Sequence, residues 1–226
     1  MVLVAAGQGT RIGGDTPKQY RLLGGVPVLL RALRPFTTHP EVAQVAVVLP
    51  PADAAAPPDF VRGLPGEALT LVAGGAERRD SVQAGLAALR AECTIVLIHD
   101  AARPLVDREV VDAVIRHARA GYGAIAAVPL SDTLKEAAPD DATRVARTIP
   151  RDRLWRAQTP QGFPRALLAR AYAAPAAGAG AGATDDAMLV EACGGTVRLV
   201  PDHPRNLKIT TPDDFALAEL LVGGER

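Results

Sequence analysis

Five short runs rich in valine, isoleucine and leucine recur along the chain: Val2–Ala6, Val45–Leu49, Leu69–Ala73, Thr94–His99 and Ala124–Val128. Each is continuous rather than alternating between apolar and polar, the pattern of a strand covered on both faces of a parallel sheet. The intervals carry a helical period instead. Within Glu77–Arg90, Val82, Leu86 and Leu89 share one stripe, and within Asp107–Ala118, Val111, Val114, Ile115 and Ala118 do the same. Strand alternating with helix predicts an α/β fold with a Rossmann-like, doubly wound and mostly parallel sheet.

Two stretches break this rhythm. Ser131–Trp155 has neither a strong helical stripe nor a buried strand run, yet it carries Thr133, Lys135, Arg144, Arg147, Arg151 and Arg153 beside acidic residues. It is expected to leave the sheet as an extended arm. Ala173–Ala183 is almost only alanine, glycine and proline, which predicts a mobile surface loop. Order resumes at Thr184, an expected N-cap with Asp185 and Asp186 in the first helical turn. Thr211-Pro212-Asp213-Asp214 supplies an N-cap, a proline at the first helical position and an acid at the third. That closing helix, through Leu221, is expected to pack on the sheet. With no internal repeat and no boundary, residues 1–226 are expected to form one domain.

Composition narrows the field of function. The 226 residues, 48% hydrophobic, suffice for a full core. Lys+Arg and Asp+Glu both number 25, so no net field draws the molecule to nucleic acid or to an anionic membrane, and an anionic ligand needs a local cationic cluster. Cys93 and Cys193 stand far apart without metal-ligand spacing, so no structural metal is expected. No segment has the order of a signal peptide or the apolar length of a membrane span, and a cytoplasmic location is expected.

The first strand runs into Ala5-Ala6-Gly7-Gln8-Gly9-Thr10-Arg11, followed by Pro17-Lys18. Glycines at the carboxyl end of a strand let backbone N–H groups approach phosphates. A dinucleotide fingerprint needs glycine where Ile12 stands, and the second strand ends at Leu49-Pro50 without a ribose-binding acid. A Walker A loop needs Ser or Thr after its GK, whereas Lys18 follows Pro17 and precedes Gln19. What remains, GxGTR and then PK, matches the loop with which nucleotidyltransferases wrap a nucleoside triphosphate.

Further chemistry gathers after later strands. Gly74-Gly75-Ala76 turns into a helix whose start holds Ser81, and such a turn can carry donors and acceptors to a base edge. His99-Asp100-Ala101-Ala102-Arg103 places an acid and a base at the sheet edge of the first loop, the alternative being a salt bridge between Asp100 and Arg103. In Asn206-Leu207-Lys208-Ile209-Thr210, Lys208 is either a snorkelling surface residue or a cation aimed at the site, and spacing does not choose.

Taken in order, AAGQGTR, PKQY, GGAERRDSV, HDAARP, SDTLK, TPQGF, TDDA and NLKIT resemble the 2-C-methyl-D-erythritol 4-phosphate cytidylyltransferase family over nearly the whole chain. The resemblance implies CMP transfer from CTP to the methylerythritol phosphate in non-mevalonate isoprenoid synthesis, with Mg²⁺ held mainly by the CTP phosphates. It makes Arg11 and Lys18 the cations on the triphosphate and transition state. It places Ala5, Ala6, Gly7, Gly9, Thr10, Gly75, Ala76, Ser81, Asp100 and Ala101 at the nucleotide, Ala76 through its backbone. Asp100, Arg103, Thr133, Arg151, Thr184 and Lys208 would meet the acceptor, with Arg151 and Lys208 also acting on the reacting phosphates. Residues 131–155 would be a β-arm interlocking with a second subunit, so that Arg151 serves the partner's site. The rivals are a cytidylyltransferase for another polyol phosphate, such as ribitol 5-phosphate, and a catalytically silent nucleotide-binding module.

Overall fold

The computed structural model describes residues 1–7, 16–64, 66–174 and 183–224. β1 (Val2–Val4) leads to a 3₁₀ turn at Lys18–Tyr20, a hairpin of β2 (Leu22–Leu23) and β3 (Val26–Pro27), and α1 (Val28–Thr37). β4 (Val45–Leu49), the short α2 (Pro51–Ala55) and α3 (Asp59–Arg62), β5 (Leu69–Ala73) and α4 (Arg78–Ala88) follow. Next come β6 (Ile95–Asp100), α5 (Arg108–Arg119) and β7 (Gly123–Pro129). The remainder is β8 (Leu134–Ala138), β9 (Asp141–Ile149), β10 (Trp155–Pro164), α6 (Arg165–Ala173), α7 (Asp186–Ala192), β11 (Val197–Pro201) and α8 (Pro212–Gly223).

Seven strands form the central sheet in the order β11-β7-β10-β6-β1-β4-β5. β1 pairs in parallel with both β4 and β6, and β4 with β5, while β10 runs antiparallel between β6 and β7. Neighbouring residues along a strand point to opposite faces, and here both faces are covered. Leu3, Val47 and Leu97 pack with Leu29 and Phe36 of α1 and Val111 and Val114 of α5. Val2, Val48 and Ile98, one residue on or back, pack with Val82 of α4, Leu168 of α6 and Val190 of α7. This two-sided burial is why the strand sequences are continuous in apolar residues, and it gives the expected Rossmann-like arrangement. Glu77 and Asp107, the expected first residues of two helices, sit as their N-caps.

Three expectations are corrected. Asp185, not Thr184, caps α7: its carboxylate accepts from the Met188 N–H at 3.0 Å, while the Thr184 hydroxyl turns to the Met188 sulfur. Both residue types make good caps, so their adjacency left the choice open. The closing helix α8 packs with Leu23, Val28 and Ile209 in a separate cluster over the β2–β3 hairpin, not on the central sheet. α8 is apolar nearly all round, with Leu217 and Leu220 exposed, so no stripe in its sequence names a direction. Finally β10 and β11, absent from the expected strands, enlarge the sheet. β10 holds Pro160 and Gly162 and buries the polar Gln158, Thr159 and Gln161, a composition that hides a strand. A side chain at Gly162 would put its Cβ 2.4 Å from Val114 of α5, so glycine is what lets the helix lie this close.

Residues 131–154 do leave the sheet, whereas Trp155, expected to end the arm, already begins β10 opposite Pro129. β8 and β9 form an antiparallel hairpin, Leu134 opposite Ile149, with nearly every residue exposed. Of the expected loop Ala173–Ala183, residues 175–182 lie outside the described residues. Among the described residues no helix is long and apolar enough to cross a membrane.

Candidate active site

After β1 the chain builds β4 and β5 on one side of it and then crosses to β6 on the other. The crevice beyond the carboxyl ends of β1 and β6 is therefore the switch point where open α/β sheets take ligands. A cleft lies there. Ala5, Ala6 and Gly7 form one wall and the β5–α4 turn forms another; Asp100 and Ala101 make the floor, with Lys18 and Lys208 at the side.

Small residues bring these walls together. A Cβ on Gly74 would stand 2.5 Å from that of Ala6, so glycine allows the β1 and β5 loops to touch. Gln19, buried, donates from Nε2 to the Ala5 carbonyl at 3.2 Å and fixes the first loop's start. In the second turn, the Ser81 hydroxyl accepts from the Gly75 N–H at 3.2 Å and donates to the Glu77 carbonyl at 3.1 Å. Ser81 thus shapes the wall, and its proton is already engaged. Glu77 and Asp80 close a capping box that starts α4.

The charges converge on Asp100. Lys208 Nζ lies 2.8 Å from Asp100 Oδ2, and Arg78 Nε lies 3.5 Å from Oδ1. Burial pushes the Asp100 pKa up, but the Lys208 ammonium and the Arg78 guanidinium outweigh it and hold the carboxyl well below the usual range. Lys18 Nζ donates to the carbonyl of Ile209, the residue after Lys208, at 3.1 Å. Two ammonium groups from opposite ends of the chain therefore share this edge of the sheet.

A second layer holds the first. Arg78 donates from Nη2 to Asp186 Oδ2 at 2.8 Å, and the Tyr172 hydroxyl donates to Asp186 Oδ1 at 2.5 Å. Asp186 is fully buried. Burial and the Asp186 carboxylate push the Tyr172 pKa up, so the phenol keeps the proton it donates. Under the floor, the His99 Nε2–H donates to the Arg103 carbonyl at 2.9 Å, and His99 Nδ1 accepts from the Thr159 hydroxyl at 3.0 Å. The same hydroxyl accepts from the Asp100 N–H at 3.1 Å. Burial lowers the His99 pKa to about 4.

The structure thus gathers Ala5, Ala6, Gly7, Lys18, Gly75, Ala76, Ser81, Asp100, Ala101 and Lys208 at one cleft. The other expected residues that are described do not line it. Arg103 lies in an adjoining pocket and donates from Nη1 to the Asn206 carbonyl at 2.8 Å, so the salt bridge with Asp100 that spacing offered as an alternative is replaced by Arg78 and Lys208. Thr184 lines a small recess with Arg78, Tyr172 and Asp186. Thr133 and Arg151 are exposed on the arm, where Arg151 donates to the Ser131 carbonyl. Gly9, Thr10 and Arg11 lie outside the described residues. Sequence reasoning missed Arg78, Asp186, Tyr172, Gln19 and the His99–Thr159 pair. Arg78 stood in a quoted motif beside Arg79, with nothing in the spacing to separate them.

The model of the family described as IspD, 2-C-methyl-D-erythritol 4-phosphate cytidylyltransferase, matches residues 1–224. The chain is 44% identical over 225 residues to the 2-C-methyl-D-erythritol 4-phosphate cytidylyltransferase of Symbiobacterium thermophilum, covering 100% of this chain and 93% of that protein. It is 46% identical over 225 residues to the bifunctional enzyme IspD/IspF of Rhodospirillum rubrum, where it covers 99% of this chain and 57% of the relative. The chain spans a little over half of such fused relatives. The crystal structure of 2-C-methyl-D-erythritol 4-phosphate cytidylyltransferase from Thermus thermophilus superposes with a TM-score of 0.80 at 37% identity, over 98% of each chain.

Proposed function

Because the chain belongs to the 2-C-methyl-D-erythritol 4-phosphate cytidylyltransferase family, we propose that it transfers CMP from CTP to 2-C-methyl-D-erythritol 4-phosphate, releasing pyrophosphate, in isoprenoid precursor synthesis in the cytoplasm. The observation that carries this reading is the meeting of Lys18 and Lys208 beside Asp100 at the mouth of the first strand.

The acceptor's phosphate is ionised at neutral pH, so the attack on the α-phosphorus needs no general base. Alignment and charge compensation remain for the protein. In-line attack builds negative charge on the equatorial and bridging oxygens, and preorganised cations lower that barrier. Lys18, with Arg11 by the family resemblance, serves the triphosphate, while Lys208 serves the acceptor phosphate. Asp100 accepts from substrate hydroxyls; its double cation contact keeps it ionised for that role. The turn at Gly75 and Ala76 presents backbone groups to the cytosine.

Mg²⁺, which takes phosphate and water oxygens readily, would draw charge from the triphosphate when bound. Both Asp100 oxygens are engaged by Lys208 and Arg78, a donor set that suits an ion carried on the nucleotide rather than one caged by this carboxylate. Residues 1–226 would act as one domain, with the 131–155 arm reaching a second subunit in a homodimer. Thr133 and Arg151 would then complete the partner's acceptor site.

The test offers CTP with either methylerythritol phosphate or ribitol 5-phosphate and follows pyrophosphate release. Release with the former alone is expected. Preference for ribitol 5-phosphate, or CTP binding without turnover, overturns the proposal.

A further inference from the structure

Beside the cleft lies a second pocket lined by Arg103, Arg156, Gln158, Leu207, Lys208 and Asp214. Lys208 belongs to both, so the pocket opens one side chain away from Asp100. Its lining holds three cations and one carboxylate. That carboxylate is already engaged, since Asp214 Oδ2 accepts from the N–H and hydroxyl of Thr210 and from the Thr211 N–H at 2.6–2.8 Å. The other carboxylates facing Arg103 are occupied as well: Asp100 by Lys208, and Asp202 by the Asn206 amide at 2.6 Å.

Arg156 is exposed on β10, opposite Val128, and among the described residues no carboxylate lies within ion-pair reach of it. It shares the pocket with a second guanidinium, and the Arg156 charge acts against that of Arg103. Two polar atoms of the same wall, Arg103 Nε and Gln158 Oε1, are buried and unpartnered. Gln158 itself is 98% buried, its relative exposure being 2%. Like charges set side by side over unpaired polar atoms favour an anion that also offers hydroxyls. Guanidinium groups suit phosphate because they donate in pairs.

We propose that Arg156, with Arg103 and Lys208, forms a phosphomonoester subsite that binds the acceptor's phosphate from within the same subunit. This rests on the reading of the reaction above and adds to it a cation that the family resemblance did not supply. Arg156 contacts substrate but bears no charge on the departing pyrophosphate, so its loss acts on acceptor binding.

The experiment measures kcat and KM for both substrates in the parent, Arg156→Ala and Arg156→Lys. In Arg156→Ala the acceptor KM is expected to rise about tenfold or more, the scale of one lost charged hydrogen bond, with the CTP KM within about twofold and Arg156→Lys recovering part of the loss. Inorganic phosphate is expected to inhibit the parent competitively with the acceptor, and Arg156→Ala less strongly. An acceptor KM unchanged within about twofold, or phosphate inhibition that acceptor does not relieve, overturns the subsite. If the parent fails to turn over methylerythritol phosphate, the reading of the reaction fails. The subsite is then judged by titrating inorganic phosphate into parent and Arg156→Ala and following ³¹P line shifts: binding lost with Arg156 supports it, and equal or absent binding refutes it.

Discussion

Lys208 grips Asp100 at 2.8 Å, joining the segment before α8 to the end of β6. The pair matters more for the site than for the fold, because Lys208 is 40% exposed and Arg78 remains as a second cation on the same carboxylate. Lys208→Ala is expected to fold normally and to lower kcat/KM for the acceptor by about 10², the scale of one removed transition-state donor. Steady-state kinetics with CTP saturating check this, and a loss below about threefold would refute the role.

Asp186 presents the opposite balance. Its carboxylate is fully buried and carries both Arg78 and Tyr172. Asp186→Ala leaves a phenol and a guanidinium without their acceptor, which costs about 3 kcal/mol, at the lower end for a broken buried pair because Arg78 is 30% exposed. Urea unfolding of parent and variant measures the difference. Asp186→Asn, which can still accept from Tyr172, is expected to lose less.

How much of this was legible in the sequence follows from which forces act locally. Runs such as Val45–Leu49 name a strand because each residue must be apolar when both faces are covered. Thr211 and Asp214 name a helix start because their bonds close within four residues. β10 stayed hidden because the bonds that hold Gln158, Thr159 and Gln161 run mostly to distant partners, the Asn206 carbonyl, His99 and Asp185. Lys208 was ambiguous for the same reason, since the carboxylate that fixes it lies at residue 100. Arg78 could be found only through Asp186, a buried acid whose burial no local pattern records. Cleft residues supplied by glycine turns were readable; those chosen by ion pairing across the fold were not.

His99 gives a pH signature. Its ring is fully buried, and burial lowers its pKa to about 4 from 6.5. Between these values the unfolded chain binds a proton that the native state refuses, so stability is whole above about pH 6.5 and is lost as pH falls toward about 4. Protonation at Nδ1 would also remove the acceptor of the Thr159 hydroxyl. Between pH 7.5 and 5 this group is expected to withdraw about 2 kcal/mol. Urea unfolding at both values should show the parent losing that much more stability than His99→Gln; equal losses would contradict the assignment.

The arm makes a prediction about two chains at once. Lys18 belongs to the cleft of its own subunit, anchored on the Ile209 carbonyl, whereas Arg151 sits on the exposed arm away from that cleft. Lys18→Ala alone is expected to lower kcat by about 10², and Arg151→Ala alone to raise the acceptor KM. In a mixed dimer of the two variants, crossed arms would create one site with both wild-type residues and one lacking both. With acceptor held well below the raised KM of Arg151→Ala, mixing and refolding the variants is therefore expected to restore about half the parent activity per mixed dimer, far above either variant alone. If each arm served its own subunit, every site would keep one defect and the mixture would show only the average of the two variants' activities. Size-exclusion chromatography of the same mixture separates this outcome from a failure to dimerise, because an arm that never crosses leaves monomers or cis-acting dimers, and neither complements.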